Sequence, residues 1–149
     1  MARFIYRMQN ILNIKEKLEE QARNEYAAQR MALTEAEEEE ERLRAQKRLY
    51  EEEGARLRSS TLNVRDIEEN ANAIATLGDF IARQQKVVAR EEQKLEERRA
   101  EREEAIKERK TQDKLKEHAF EEFRAEIGRQ ESKEIDELTS YTHGANKKG

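Results

Sequence analysis

The 149-residue chain is 43% charged and 35% hydrophobic, with 30 basic and 34 acidic residues, five glycines, no proline and no cysteine. So small an apolar share cannot fill a globular core, while Glu, Lys, Arg, Ala, Leu and Gln, which dominate, give up little entropy in a helix. Opposite charges nearly cancel and are intermixed, leaving no single-sign field for nucleic acid or anionic lipid. The missing cysteines exclude a disulfide framework, a thiolate nucleophile and a cysteine-rich zinc site.

The first helix is predicted over 4–58. Phe4, Met8, Ile11, Leu18 and Ala22 make one apolar seam, Leu43, Tyr50 and Leu57 resume its phase, and Ile14, Tyr26 and Leu33 drift sideways from it. Gly54 is a competing stop signal, kept inside the helix because Leu57 still falls in phase beyond it. A turn follows at 59–63, where Ser-Ser-Thr-Leu-Asn offers side chains that compete with the backbone and favour caps. Asn63 is the expected N-cap, Asp66 complements the positive end of the helix dipole, and Leu62 and Ile67 have the spacing of a hydrophobic staple.

The second helix is predicted over 64–138. Ile67, Ile74, Ile81, Val88 and Leu95 recur every seven positions, with Ala71 as an intervening member, which is the pattern of a coiled-coil seam. The phase lapses at Arg102 and Arg109 and returns at Ile106, Phe120, Phe123 and Ile127. Residues 139–149, whose end holds two glycines and two lysines without apolar periodicity, are expected to fray.

A turn this short folds the helices back on each other. The expected fold is all-α: one domain, 1–149, forming a long antiparallel two-helix coiled coil, a helical hairpin whose second helix is longer and leaves a C-terminal overhang. One register pairs Leu57 with Ile67, Tyr50 with Ile74, Leu43 with Ile81, Ala36 with Val88, Leu18 with Ile106 and Phe4 with Phe120. It also sets Ala22 against Arg102, which Glu19 or Glu25 can neutralise, and Lys15 against Arg109, which repel, so looser packing is expected there. At 1.5 Å rise per residue the first helix is roughly 80 Å long, giving a rod with an overhang.

Chemistry-bearing motifs are missing. There is no Gly-x-x-x-x-Gly-Lys phosphate cradle, no His-Glu-x-x-His and no Gly-x-Ser-x-Gly, and a two-helix rod has no walled cavity to exclude water. His118 and His143 stand alone, and the glutamates 37–41 splay around a helix axis rather than converge on an ion. No enzyme activity, metal or cofactor is expected. No stretch approaches the roughly 20 apolar residues that span a bilayer, and the N-terminus lacks a secretory core, so the expected location is cytoplasmic.

Two apolar features stand out as candidate contacts with other proteins. Ala73, Leu77, Phe80 and Val87 form a second stripe beside the seam, expected to be partly exposed; a third helix, a bent first helix or an external partner can cover it. The terminal end gathers Phe4, Ile5, Met8, Phe120, Phe123, Ile127, Ile135 and Leu138. Either the coil seals its own end with them or a partner receives them. The amphipathic start, Phe4 to Leu12 with Arg3 and Arg7, also suits a membrane surface.

The opening Phe4-Ile5-Tyr6-Arg7-Met8-Gln9-Asn10-Ile11-Leu12-Asn13-Ile14-Lys15 resembles the start of FliJ proteins of the Gram-positive type. So do Glu108-Arg109-Lys110-Thr111 through Lys114-Leu115-Lys116-Glu117 to Ala119-Phe120-Glu121-Glu122-Phe123, and Lys133-Glu134-Ile135-Asp136-Glu137-Leu138. The two ends, with the length, are the specific part of a resemblance that covers nearly the whole chain. It implies a component of the flagellar type III export apparatus, with a fold like the coiled-coil stalk of the rotary ATPase gamma subunit. It further implies that the terminal end, with Phe4, Met8, Phe120, Phe123, Ile127, Ile135 and Leu138, enters the hexameric export ATPase ring FliI and promotes its assembly. By position the resemblance places contact with the export gate protein FlhA at Ala73, Leu77, Phe80 and Gln84. It adds a role with export chaperones and a location at the cytoplasmic face of the cell membrane, held there through protein partners. A stalk of a virulence-type secretion system and a self-associating structural coiled coil are the alternatives.

Overall fold

The computed structural model describes residues 2–146. Two helices account for almost all of it, α1 (Gln9–Ser59) and α2 (Val64–Asn146), packed against each other with α2 the longer. Among the described residues there is no strand. The fold is the expected all-α helical hairpin.

The helix boundaries follow local chemistry. α1 begins at Gln9 rather than Phe4, because a turn closed by the Gln9 amide on the Tyr6 carbonyl (3.2 Å) comes first and leads the chain away from the helical path. At the turn Asn63 caps α2: its Oδ1 accepts the amides of Arg65 at 3.1 Å and Asp66 at 3.3 Å. The Leu62 staple does not close, for Leu62 is 67% exposed. α2 continues past Leu138 to Asn146, so the stretch from 139 to 146, expected to fray, is helical, and residues 147–149 of that expected tail lie outside the described residues. With no proline and only isolated glycines after Asp66, nothing in the sequence stops α2 earlier.

The chain divides into two compact units, one of Gln21–Glu103 and one of Met1–Glu20 with Glu104–Gly149. In the unit that holds the turn, the helices run antiparallel, with partners falling in number as α1 advances: Glu25 to Arg98, Gln29 to Glu91, Ala36 to Gln84 and Tyr50 to Asn70. Ala22, Ala36, Leu77 and Ile81 form its buried apolar core, and Asn70 and Gly54 are buried among them. α2 turns inward at Ile67, Asn70, Ile74, Leu77, Ile81, Gln84, Val88, Glu91, Leu95 and Arg98, alternating steps of three and four. The expected heptad of Ile67, Ile74, Ile81, Val88 and Leu95 is therefore one half of the seam. The other half is Asn70, Leu77, Gln84 and Glu91, whereas Ala71 is exposed.

Small residues on α1 admit these polar side chains. Asn70 Nδ2 donates to the Tyr50 carbonyl at 2.8 Å while its Oδ1 fills the space that a Cβ on Gly54 would occupy. Gly54 does not have a positive φ, so the backbone places no special demand on it and the glycine serves close approach alone. Gln84 Nε2 likewise donates to the Ala36 carbonyl at 2.9 Å, and Gln29 Nε2 reaches the Glu91 carbonyl at 3.2 Å and its carboxylate. A helix carbonyl has a second lone pair, so it accepts such a bond without giving up its own. Arg102 lies with its guanidinium 4.2 Å from the centre of the Tyr26 ring, a cation over an aromatic face. Of the two glutamates expected to neutralise it, Glu25 pairs with Arg98 and Glu19 with Arg109.

In the other unit the seam is charged near its middle. Leu12 is its most buried residue, 3% exposed, and Glu19 is buried two turns further along α1. The expected Lys15–Arg109 repulsion does not arise, because each cation has an anion across the seam, Lys15 Nζ meeting Glu108 at 2.9 Å and Arg109 donating to Glu19 at 2.6 Å; Arg109 also donates to Asp113 of its own helix at 2.7 Å. The bond to Glu19, then that to Asp113, hold the Arg109 guanidinium more firmly protonated than a free arginine. Three residues assigned to the first helix's seam turn outward in this unit: Met8 is 39%, Ile11 38% and Leu18 44% exposed. The positions facing α2 are instead Leu12, Lys15 and Glu19, so ion pairs replace apolar layers there.

Candidate functional site

The terminal end of the Met1–Glu20 and Glu104–Gly149 unit is built around Phe4. Freed from α1, the extended start lays the Phe4 ring edge-on against Phe120 (centroids 5.2 Å, 72°) and tilted against Phe123 (5.4 Å, 48°), which realises the expected Phe4–Phe120 layer. Beside this cluster runs an open groove of about 970 Å³, whose lining includes Ile5, Met8, Ala119, Phe123 and Arg129. The Tyr6 hydroxyl is buried with no hydrogen-bond partner in this structure.

Of the residues expected at this end, Phe4, Phe123 and Ile127 are half-buried and Met8 and Phe120 are partly exposed. Ile135 and Leu138 are not brought to the cluster. Every residue from Gly128 to Gly144 is exposed, and Ile135 (62%), Leu138 (66%) and Tyr141 (77%) stand in solvent on the part of α2 that continues past the aromatic cluster. Ile127, Leu138 and Tyr141 continue the face of α2 that carries Phe120 and Phe123. Sequence reasoning missed Tyr141 by ending the helix at Leu138; its spacing of three from Leu138 was the available signal.

The second candidate surface is in the Gln21–Glu103 unit and is narrower than expected. Leu77, expected to be partly exposed, is a seam residue and only 8% exposed, and Gln84 is half-buried by its bond to α1. Ala73, Phe80 and Val87 flank the seam, and of these Phe80 is the large apolar group in solvent at 42% exposure, with the Arg83 guanidinium 5.5 Å from its ring centre. Polar seam positions shift the true stripe by part of a turn. Among the described residues there is no third helix to cover it.

Among the described residues no group of His, Cys, Asp and Glu converges to hold a metal ion, and no helix is long and apolar enough to cross a membrane. Exposed apolar residues on a paired-helix scaffold suit contact with other proteins rather than bond-making chemistry.

The family model for the flagellar FliJ protein matches residues 4–148. The chain belongs to the flagellar FliJ family. FliJ proteins are non-catalytic components of flagellar export, so the chain is a flagellar export-related protein. The match takes in both the Phe4 segment and the uncovered end of α2. Comparison with curated proteins and with solved structures gives no match.

Proposed function

We propose that this FliJ chain is the stalk of the flagellar type III export ATPase, a coupling protein that performs no chemistry itself. Its terminal end enters the FliI hexamer and favours the assembled ring by binding it better than free subunits. Phe80, with Ala73 and Val87 around it and Leu77 and Gln84 beneath, meets the export gate protein FlhA. Export chaperones are further partners, and these protein contacts hold the chain at the cytoplasmic face of the membrane.

The observation that carries this reading is the uncovered end of α2, where Ile135, Leu138 and Tyr141 are left in solvent by a chain that can spare few apolar residues. A ring with an apolar bore removes that cost. The test is ATP hydrolysis by purified FliI with and without this protein. The native chain should stimulate it, and Ile135→Gln with Leu138→Gln should abolish the stimulation while helicity stays unchanged. Full stimulation by that variant would refute insertion of this end.

A further inference from the structure

We propose that the groove beside Phe4 receives the Leu138 end of α2 from a second copy of this chain, giving a two-fold dimer in which each copy fills the groove of the other. The groove and the α2 end both belong to the unit of Met1–Glu20 with Glu104–Gly149. The proposal concerns the chain by itself and does not rest on the stalk reading.

The two surfaces match, yet they cannot meet within one chain. The groove has Phe4, Ile5, Met8, Ala119 and Phe123 as its apolar lining, and Ile5 is 76% exposed. Leu138 and Tyr141, 66% and 77% exposed, stand on the same helix that supplies Phe123. Fifteen residues of unbroken helix separate Phe123 from Leu138, which is roughly 22 Å, so Leu138 never reaches its own groove. A second α2 laid antiparallel with its Leu138 beside Phe123 fills the groove, and two-fold symmetry makes the same contact again on the other copy. Phe120 and Phe123 are three residues apart, as are Leu138 and Tyr141, so the register that joins Phe123 to Leu138 also joins Phe120 to Tyr141. The uncovered helix beyond Ile127 gains a partner in the same step, and a lone helical segment of that length is marginal in water.

Charge selects this occupant. One wall of the groove is cationic, for residues 2–8 carry Arg3 and Arg7 and no acid, and neither arginine has an ion pair among the described residues. The facing wall on α2 holds Glu122 and Glu126, and of these Glu126 is paired with Arg129 while Glu122 has no ion pair among the described residues. The α2 end carries a complement to each wall. Glu134 and Glu137 border Leu138, and Lys133, next to Glu134, points about 100° away from it around the helix. All three are exposed and have no ion pair among the described residues. A helix seated by Leu138 thus offers an anion to the Arg7 wall and a cation to the Glu122 wall. Each site rests on a few exposed side chains, so the chain is single when dilute and paired when concentrated.

Sedimentation equilibrium of the full chain should show one chain giving way to two, with no larger species, as concentration rises, and salt should favour the single chain. Leu138→Gln with Tyr141→Gln should weaken pairing about tenfold or more, with circular dichroism unchanged. Arg7→Glu and Glu134→Arg should each pair more weakly alone, and mixing the two proteins should restore pairing, because both sites then join opposite charges. The chain has no cysteine, so Met8→Cys with Leu138→Cys should link two copies on oxidation. Leu138→Cys alone should not, since antiparallel pairing holds its two sulfurs roughly 22 Å apart. A single chain at every concentration, undiminished pairing by the Leu138 and Tyr141 variant, or linkage by Leu138→Cys alone would each overturn the proposal, the last in favour of parallel pairing. FliI is absent from these measurements, so their failure leaves the stalk reading standing.

Discussion

The two units solve the same packing problem differently. In the Gln21–Glu103 unit, amide side chains on α2 reach over glycine and alanine on α1 to backbone carbonyls, so polar seam positions are satisfied within the chain. In the terminal unit, charged pairs fill the middle of the seam and apolar residues are left facing outward at Ile11, Ile14, Leu18, Leu115, Ile135 and Leu138. An amide bonded to a facing carbonyl has a fixed partner, so such layers specify one register. The uncovered apolar residues contribute little to the fold and are free to contribute to binding. The Gln21–Glu103 unit keeps such residues too, Phe80 among them at 42% exposure, so what separates the units is how the middle of the seam is filled.

The largest test of this contrast concerns Leu77 and Phe80, three residues apart yet placed inside and beside the seam. Leu77→Ala should cost about 2–3 kcal/mol, read from urea unfolding followed by circular dichroism, because an 8% exposed side chain leaves a gap in the core. Phe80→Ala should cost under about 1 kcal/mol, since a 42% exposed ring gives up much less burial. Equal costs would erase the distinction between seam and flank. Next in size, Glu19→Ala should destabilise by about 1–2 kcal/mol, for it removes a buried carboxylate and strips Arg109 of its hydrogen bonds across the seam. Lys15→Ala should cost less than half of that, because its partner Glu108 is 43% exposed and returns to water.

The hairpin was legible in the sequence because its signals are local: the Ser-Ser-Thr-Leu-Asn turn, the Asn63 cap and the seven-residue recurrence from Ile67 to Leu95. The other half of the seam was not. Asn70, Gln84 and Glu91 occupy positions where a hydrophobic pattern shows a gap, and only the facing helix reveals that each has a partner there. The same blindness moved Ile11 and Leu18 into the seam and left Glu19 out of it. Treating the apolar residues as the inside fails wherever ions or amides pair across a two-helix interface. The terminal aromatic cluster was legible through the Phe4–Phe120 pairing. The early turn at Tyr6 was hidden, since Phe4 to Leu12 reads as continuous amphipathic helix.

A smaller effect sharpens the register argument. Gly54→Ala on its own sets about 1 kcal/mol of helix propensity against a clash with the Asn70 side chain. Removing that side chain first should leave only the gain, so Gly54→Ala should stabilise the Asn70→Ala protein by about 1 kcal/mol and do distinctly less in the native background. If the two backgrounds respond alike, the amide does not fill the glycine's space and the lock is absent.

The smallest expected change in stability is the most informative about division of labour. Ile135→Gln with Leu138→Gln should shift unfolding by under about 0.5 kcal/mol, because both side chains are more than 60% exposed and no residue from Gly128 to Gly144 is covered by α1. Were these leucine and isoleucine side chains sealing the end of the hairpin, the same double change would cost a few kcal/mol. A near-zero cost together with lost stimulation of FliI would assign the end of α2 to contact with a partner. A large cost would assign it to the fold, and the contrast between the two units would fail at the place where it is sharpest.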